Sequence, residues 1–249
     1  MFDAKKETEK IVEFIRDYYK KNNLKGVVIG ISGGKDSGVV AALFAKAIGN
    51  ENIIGVTMPC ESKEEDKADA VLVAEKYGFE LINIDLTGPF FAFKKQIEKF
   101  NANESDKIDA DINIKPRLRM STLYYIGAMY SKVKGGTYIV AGTGNKCESY
   151  VGYFTKGGDG MYDIGVINDF TVDEVIALGE YLEVPDKVLY KTPSDGLSGM
   201  SDEDKLGVKY YEIAKVINGE EVEEETKNKI MKLHNNSLHK FNTPIYRRD

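Results

Sequence analysis

Short apolar runs alternate with longer segments of helical spacing along the first 141 residues of this chain. The apolar run 24–31 is typical of a strand buried on both faces of a sheet, and further strands are predicted at 52–58, 80–85 and 136–141. Apolar side chains at helical spacing predict amphipathic helices at 3–22 and 61–77, and further helices are predicted at 38–49, 88–103 and 113–133. This alternation predicts a doubly wound open parallel sheet flanked by helices, with right-handed crossovers.

The same pattern predicts the surface and C-terminal segments. We expect helix 61–77 to bury a stripe made of Ala68, Val71, Leu72 and Ala74. The polar and acidic composition of 104–111 predicts a surface loop, and the Gly, Ser and Asp residues of 194–204 predict a mobile loop. Further helices are predicted at 171–182, after Pro185, at 202–217 and at 221–234.

One stretch joins the first predicted strand to the following helix, and we call it the first glycine turn: Gly30, Ile31, Ser32, Gly33, Gly34, Lys35, Asp36 and Ser37. A helix N-terminus there presents unpaired backbone N–H groups and partial positive charge. Adjacent glycines let an anion approach the backbone, while Lys35 adds a charge and Asp36 a candidate metal ligand. The turn therefore predicts a site for a polyphosphate with Mg²⁺.

Other phosphate-binding and catalytic turns fit this stretch less well. A Walker A loop needs Gly-Lys-Ser/Thr, whereas Asp36 follows Lys35, and a dinucleotide fingerprint needs Gly-x-Gly, which Ser32 interrupts. The Gly-x-Ser-x-Gly elbow of hydrolases does match 30–34, but that elbow has no use for Lys35 and Asp36. A glycine turn without any ligand is the remaining alternative.

Two other places at the expected ligand-binding edge of the sheet, and a pair of arginines near a helix start, carry candidate chemistry. A second glycine turn, 142–148, follows the fourth strand and ends in Glu148, which we expect to complete a Mg²⁺ site with Asp36. Residues 57–60 either frame an adenine with backbone groups or form a plain strand exit. Arg117 and Arg119 either clamp a phosphate or carboxylate or are ordinary surface charges.

Composition narrows the class of protein. A length of 249 residues suits one large domain, 1–249, and no apolar run approaches the length of a membrane span. The net charge of −6 argues against nucleic acid as the main partner. Only Cys60 and Cys147 occur, and the N-terminus is charged rather than signal-like, so we expect a reducing, cytoplasmic location.

The string Ser32 to Ser37 resembles the pyrophosphate-binding loop of the ATP-pyrophosphatase superfamily, whose members cleave ATP between the α and β phosphates. Further motifs resemble, in order and spacing over about residues 5–245, the ammonia-dependent NAD synthetases. They lie at 113–120, Gly142-Thr143 with Glu148, 154–163, 191–197, 202–207 and His239-Lys240. The resemblance implies an adenine nucleotide alpha-hydrolase-like fold, a Rossmann-like three-layer sandwich.

The resemblance also implies roles for individual residues. ATP would contact residues 30–37, Thr143 and Ser194, with Mg²⁺ held by Asp36 and Glu148. The deamido-NAD⁺ ligands would be Arg117, Lys156, Asp163, His239 and Lys240, and the catalytic residues Lys35, Asp36 and Lys156. Two positions depart from the family pattern, which commonly has Lys in place of Val172 and Thr in place of Ser194; Lys156 or Lys191 is the candidate substitute for that lysine.

The implied reaction is the ATP-dependent amidation of deamido-NAD⁺ by free ammonia, through an acyl-adenylate, in a homodimer whose dinucleotide site both subunits line. Because 249 residues leave no room for a glutaminase domain, we expect free ammonia to be the nitrogen source. Two alternatives stay open. Another ATP-pyrophosphatase, for tRNA modification or sulfur transfer, would want a basic RNA-binding region or catalytic cysteines, and a non-catalytic nucleotide sensor could lack the second metal carboxylate.

Overall fold

A computed structural model describes residues 2–61, 64–98, 100, 103–191 and 201–248. Within them, five parallel strands form one sheet in the order β3-β2-β1-β4-β5. The strands are β1 Leu24–Gly30, β2 Ile53–Thr57, β3 Glu80–Asn83, β4 Thr137–Gly142 and β5 Ile164–Gly165. The predicted doubly wound open sheet is therefore confirmed, and its strand order reverses at β1.

Helices cover both faces of the sheet. They are α1 Ala4–Lys21, α2 Lys35–Ile48, α3 Glu64–Tyr77, α4 Thr87–Ile97, α5 Glu104–Val133, α6 Lys146–Val151, α7 Val172–Tyr181, α8 Asp186–Leu189, α9 Asp202–Leu206, α10 Tyr210–Asn218 and α11 Glu224–Ser237. Short 3₁₀ turns lie at Asn50–Asn52 and Leu238–Lys240. No helix in these described ranges is both long and apolar enough to cross a bilayer.

The side chains of β1 divide between two cores because successive residues of a strand point to opposite faces. Val27 and Ile29 pack into the larger core with α1, α2, α7 and α8. Val28 packs on the other face with Ile126 of α5 and Tyr138 of β4. The central strand is thus buried on both sides, which explains its continuous apolar run.

Three details of the helices differ from the sequence prediction. The expected loop at 104–111 is wrong: α5 begins at Glu104, and its first turns are held to α4 by an ion pair between Asp111 and Lys94. An exposed acidic segment can form a helix when packing of the same helix farther along stabilises it. The predicted helix 202–217 is interrupted, because Gly207 adopts a left-handed conformation with φ 62° and ends α9.

The buried stripe of α3 is also shifted relative to the prediction. Ala74 is buried as expected, but Ala68, Val71 and Leu72 are exposed, and Asp69 and its neighbours Ala70 and Val73 are buried instead. Asp69 is buried because its carboxylate is paired with Lys187 and Lys191. A paired carboxylate can occupy a core-facing position that apolar periodicity assigns to other residues.

Truncating the α5-facing core should destabilise the whole fold. Ile54 is fully buried in β2, so Ile54→Ala should lower the free energy of unfolding by about 2–5 kcal/mol. Urea unfolding followed by circular dichroism measures this change. Ile245→Ala, at an exposed position near the C-terminus, is the matched control and should change it by less than about 0.5 kcal/mol. Equal losses in both variants would contradict the described core.

Candidate active site

The carboxyl ends of β1, β2 and β4 open onto a cavity of about 750 Å³. Its described walls are the first glycine turn, the exit of β2 at 57–59, one face of α5, the second glycine turn and the aromatic glycine loop, by which we mean residues 152–163. Ligands of open α/β sheets bind at this edge, near the strand where the order reverses. The cavity therefore lies where the sequence predicts a nucleotide.

The first glycine turn presents bare backbone to this cavity. Gly33 has φ 80°, and a Cβ there would lie 2.4 Å from the carbonyl oxygen of Asp66, so no other residue type fits. Gly34 caps α2 without a side-chain hydrogen bond, and the helix begins at Lys35. The first N–H groups of α2 are therefore left available to an anion.

The two serines of the turn shape it from within. The Ser37 hydroxyl donates to the carbonyl oxygen of Gly34 at 3.0 Å, and its oxygen lies 3.3 Å from the backbone nitrogen of Ser32 as an acceptor. The Ser32 hydroxyl in turn accepts from the Gly34 N–H at 3.3 Å. These bonds hold the turn in its cradle shape before any ligand binds.

Asn145 joins the two carboxylates that the sequence assigns to the metal. Its side-chain amide donates to Asp36 Oδ1 at 3.2 Å, and its backbone N–H donates to Glu148 Oε2 at 3.0 Å. Its side-chain oxygen accepts from the Glu148 N–H at 3.1 Å, which completes a capping box at the start of α6. Lys35 Nζ lies 3.3 Å from Asp36 Oδ2 on the other side.

The electrostatics of this pair favour a cation. Burial, and then repulsion by Asp36, raise the pKa of Glu148 to about 8, although the Asn145 N–H and Lys35 lower it. Within the described ranges no group of three or more His, Cys, Asp or Glu residues is placed to hold a metal. Two carboxylates suit Mg²⁺, which completes its octahedron with water and phosphate oxygens.

Sequence reasoning missed two residues of this site. Asn145 follows a recognisable signal, since Asn with Glu three positions later is a capping box. Asp202 begins α9, is buried, lines the cavity and accepts from the Tyr153 hydroxyl at 3.0 Å. Burial raises the pKa of Asp202, with Asp36 adding repulsion. In the sequence, only the family resemblance singled out Asp202, and that resemblance assigned no role to it.

The lysines around the cavity are placed differently from one another. Lys191 lines it and donates to Asp66 and Asp69 of α3, directly beside Gly33. Lys156 instead donates to the carbonyl oxygen of His239 at 2.9 Å and does not line the cavity. Val172, at the position where the family commonly has lysine, is buried in a core of α6, α7 and α10.

The predicted acceptor ligands do not all meet in one place. Asp163 accepts from the Val140 N–H at 2.8 Å and from the Tyr124 hydroxyl at 3.1 Å, which joins β4 to α5. Lys240 donates to the carbonyl oxygens of Gly152 and Phe154, both at 2.7 Å, and lines the cavity. Burial lowers the pKa of Lys240. The 3₁₀ turn at Leu238–Lys240 is thereby attached to the aromatic glycine loop.

The remaining predicted residues fall outside the cavity or outside the described chain. His239 and Arg117 are exposed, and Arg117 Nε donates to the carbonyl oxygen of Lys156 at 3.4 Å. Thr143 lines the cavity, whereas Ser194, the motif 192–197 and most of the predicted loop 194–204 lie outside the described residues. At 57–60, Met58 and Pro59 line the cavity and Cys60 is buried.

The arginine clamp considered from the sequence is wrong. Arg117 and Arg119 both belong to α5, and helical residues two apart do not face each other. Arg119 lines the cavity, while Arg117 is exposed. The two side chains of one chain therefore do not clamp a single phosphate or carboxylate group.

Comparison with known proteins agrees with the geometry. The family model described as NAD synthase matches residues 7–244. The chain is 39% identical over 238 residues to the NH(3)-dependent NAD(+) synthetase of Carboxydothermus hydrogenoformans, with 95% of each chain covered. It is 37% identical over 246 residues to the enzyme of the same name from Archaeoglobus fulgidus, covering 96% of this chain and 95% of the other.

Solved structures cover the whole chain as well. The NMN synthetase of Francisella tularensis superimposes with a TM-score of 0.90 at 33% identity, covering 100% of both chains. The NH3-dependent NAD synthetase of Campylobacter jejuni, solved with a nitrate ion, superimposes with a TM-score of 0.78 at 27% identity, also with full coverage. The two neighbours bear the names of different amide products.

The raised pKa of Glu148 predicts an unusual pH dependence of stability. Between the ordinary value of 4.5 and about 8, the folded protein keeps a proton on Glu148 that the unfolded chain releases. Stability in EDTA should therefore fall as pH rises through this interval, and Glu148→Gln should remove this contribution. Melting temperatures measured from pH 5 to pH 9 test this.

Glu221 is exposed, so Glu221→Gln is the control for the loss of one carboxylate. Its melting temperature should change with pH as steeply as that of the wild type. Mg²⁺ should raise the wild-type melting temperature more at pH 8.5 than at pH 6, because a protonated carboxyl is a poor metal ligand. Identical pH slopes for wild type and Glu148→Gln would contradict the assignment.

Proposed function

Because this chain belongs to the NAD synthase family, we propose that it amidates deamido-NAD⁺ to NAD⁺ with free ammonia, converting ATP to AMP and pyrophosphate. The observation that carries the proposal is the pairing of Asp36 with Glu148 through Asn145, at the N-terminus of α2. Bare backbone donors and two oxygen ligands at one point suit a nucleotide polyphosphate with its cation. A plain glycine turn would need neither carboxylate.

The first chemical step activates a poor electrophile. An oxygen of the nicotinate carboxylate attacks the α-phosphorus of ATP, and pyrophosphate leaves with the electrons of the broken bond. The free N–H groups of α2 and the buried Lys35 ammonium would bind the departing pyrophosphate. The protein's contribution is charge stabilisation and alignment, so no covalent enzyme intermediate is required.

Asp36 and Glu148 would hold the Mg²⁺ that accompanies ATP. Bound there, the ion would neutralise charge on the polyphosphate. The two carboxylates are only partly exposed and repel each other, which supports this assignment, since a cation relieves both penalties. The family commonly has a lysine at position 172, where this chain has a buried valine. The position of Lys191 beside the first glycine turn supports the proposal that Lys191 takes the place of that lysine.

In the second step, ammonia attacks the acyl carbon and AMP leaves with the bonding electrons. Both cysteines are fully buried, which supports a route without a thiol nucleophile. Lys240 reaches the cavity from the C-terminal side, while Arg117, Lys156 and His239 lie together at its rim. We propose that the part of the acceptor far from the reacting carboxylate binds at that rim. Asp163 would contribute indirectly, by holding β4 to α5.

An alternative candidate for the acceptor is nicotinate mononucleotide, the acid whose amide is NMN. The observation that favours it is the higher structural similarity to the NMN synthetase, TM-score 0.90 against 0.78 for the NAD synthetase neighbour. The reacting carboxylate is the same in both acids. A shorter acceptor would use the cavity without the rim contacts of Arg117 and His239.

We also propose a homodimer. Large apolar side chains are exposed on α4 and α5 at Phe91, Phe93, Ile97, Ile108, Ile112, Tyr125, Met129 and Val133. Exposed apolar residues concentrated on two helices are typical of an interface. Arg117 is exposed on α5 as well, so a second subunit on this face would approach the rim where the acceptor is placed.

Domain organisation and location complete the proposal. We treat 1–249 as one domain, and the contact of Ile176 with both the sheet core and the α6–α10 core supports this. Neither Cys60 nor Cys147 forms a disulfide, which supports a reducing, cytoplasmic location.

The reaction is tested by incubating the protein with ATP, Mg²⁺, ammonium and either deamido-NAD⁺ or nicotinate mononucleotide. We expect amide and AMP in equal amounts with deamido-NAD⁺, and no product without ammonium. Asp36→Ala and Glu148→Ala should each abolish AMP formation, because the metal loses a ligand. Chromatography of nucleotides at fixed times measures all products.

Glu221→Ala, an exposed carboxylate, is the control and should remain fully active. Faster turnover of nicotinate mononucleotide would favour the second acceptor. Formation of AMP without any amide would favour another ATP-pyrophosphatase, and nucleotide binding without turnover would favour a sensor. Undiminished activity of either alanine variant would contradict the metal assignment.

Tyr125 tests the proposed interface, since its side chain is 73% exposed on α5. A charge there cannot be buried against a second subunit, so Tyr125→Glu should give a monomer by light scattering and raise the KM for deamido-NAD⁺. Tyr211→Glu, at an exposed position of α10, should leave the dimer intact. A dimeric Tyr125→Glu would contradict the interface.

A further inference from the structure

Arg119 is a cavity-lining cation without a counter-charge. Its Nε donates to the carbonyl oxygen of Met58 at 3.2 Å, which fixes the plane of the guanidinium. In the part of the chain that the structure describes, neither terminal nitrogen has a hydrogen-bond acceptor, and no carboxylate lies within 4 Å. Burial lowers the pKa of Arg119, so the surrounding protein disfavours its charge.

Such an arrangement is costly in a folded protein. A buried charge is ordinarily paired, and a guanidinium carries five N–H donors in a rigid fork. Here one donor is used for orientation, and the side chain that carries the others lines the cavity. A fork held in this way matches two oxygens of a phosphoryl or carboxylate group.

The position of Arg119 indicates which anion it meets. Met58 follows β2, and a Cβ on Gly30 at the end of β1 would lie 3.3 Å from the Met58 side chain. On the other side, a Cβ on Gly158 would lie 3.1 Å from Pro116. Pro116 and Arg119, three apart in α5, share one face. Arg119 therefore lies between the first glycine turn and the aromatic glycine loop.

We propose that Arg119 is a catalytic residue of the adenylation step, donating from its terminal nitrogens to the oxygens of the attacked α-phosphoryl group. This inference rests on the proposed function. As the carboxylate oxygen bonds to the α-phosphorus, the bond from that phosphorus to the bridging oxygen breaks and its electrons leave with pyrophosphate. Arg119 stays protonated and stabilises the negative charge on the non-bridging oxygens.

Arg119→Gln and Arg119→Lys test the role, with Lys132→Gln on the exposed side of the same helix as control. The first readout is steady-state kinetics with ATP and deamido-NAD⁺. We expect kcat to fall about 10²- to 10³-fold in Arg119→Gln, as for loss of one preorganised donor, and the KM for ATP to rise by about tenfold, because ATP carries the same α-phosphate as AMP. Arg119→Lys keeps the charge without the fork and should be intermediate.

The second readout does not need the reaction. Wild type should bind AMP more tightly than adenosine by calorimetry, because only AMP carries the α-phosphate, and Arg119→Gln should lose at least about tenfold of that preference. Lys132→Gln should keep it. This comparison separates the two ideas: absence of amide with either acid defeats the proposed function, whereas an unchanged AMP preference defeats the role of Arg119.

Three other results would overturn the role. A rise in the KM for deamido-NAD⁺ alone would place Arg119 on the acceptor. A lower kcat with an unchanged AMP preference would leave only a positioning effect through Met58. If Arg119→Gln does not fold, as shown by its melting curve, Arg119→Lys replaces it in the same two measurements, and wild-type values for both would contradict the proposal.

Discussion

The site depends on a group of backbone N–H donors that no side chain of the described chain caps. They begin α2, and the close approach of Gly33 to Asp66 of α3 keeps the turn bare. Facing them are two carboxylates that Asn145 holds in place despite their mutual repulsion. A bound anion would pair with the N–H donors, and a bound cation would relieve the repulsion between the carboxylates. Without these ligands, neither the donors nor the carboxylates are in a favourable environment.

The central part of this arrangement was predictable because it is local or follows from strand order. The run of apolar residues before the first glycine turn, and the helix after it, predict a strand–turn–helix unit with bare donors. Asp36 and Glu148 follow strands that pair directly, β1 and β4, so a shared edge brings them together. Asn145 was readable as a capping residue, but its bond to Asp36 depends on how two loops pack.

What could not be predicted depends on long-range pairing and helical phase. Asp69 is buried only because Lys187 and Lys191 approach from α8 and the residues after it, which no local pattern contains. The start of α5 at Glu104 depends on contact with α4. Arg119 lines the cavity and Arg117 does not, because of the way α5 packs on the sheet. The sequence spacing predicts only that the two side chains point in different directions from the helix.

If the first glycine turn binds pyrophosphate as a leaving group, the acceptor acid must be adenylated. Turnover of deamido-NAD⁺ labelled with ¹⁸O in its carboxylate, followed by mass spectrometry of AMP, tests this most directly. We expect one ¹⁸O atom transferred to each AMP, because the attacking carboxylate oxygen stays on phosphorus when ammonia displaces AMP. Unlabelled AMP, or formation of ADP and phosphate, would contradict adenylation at this turn.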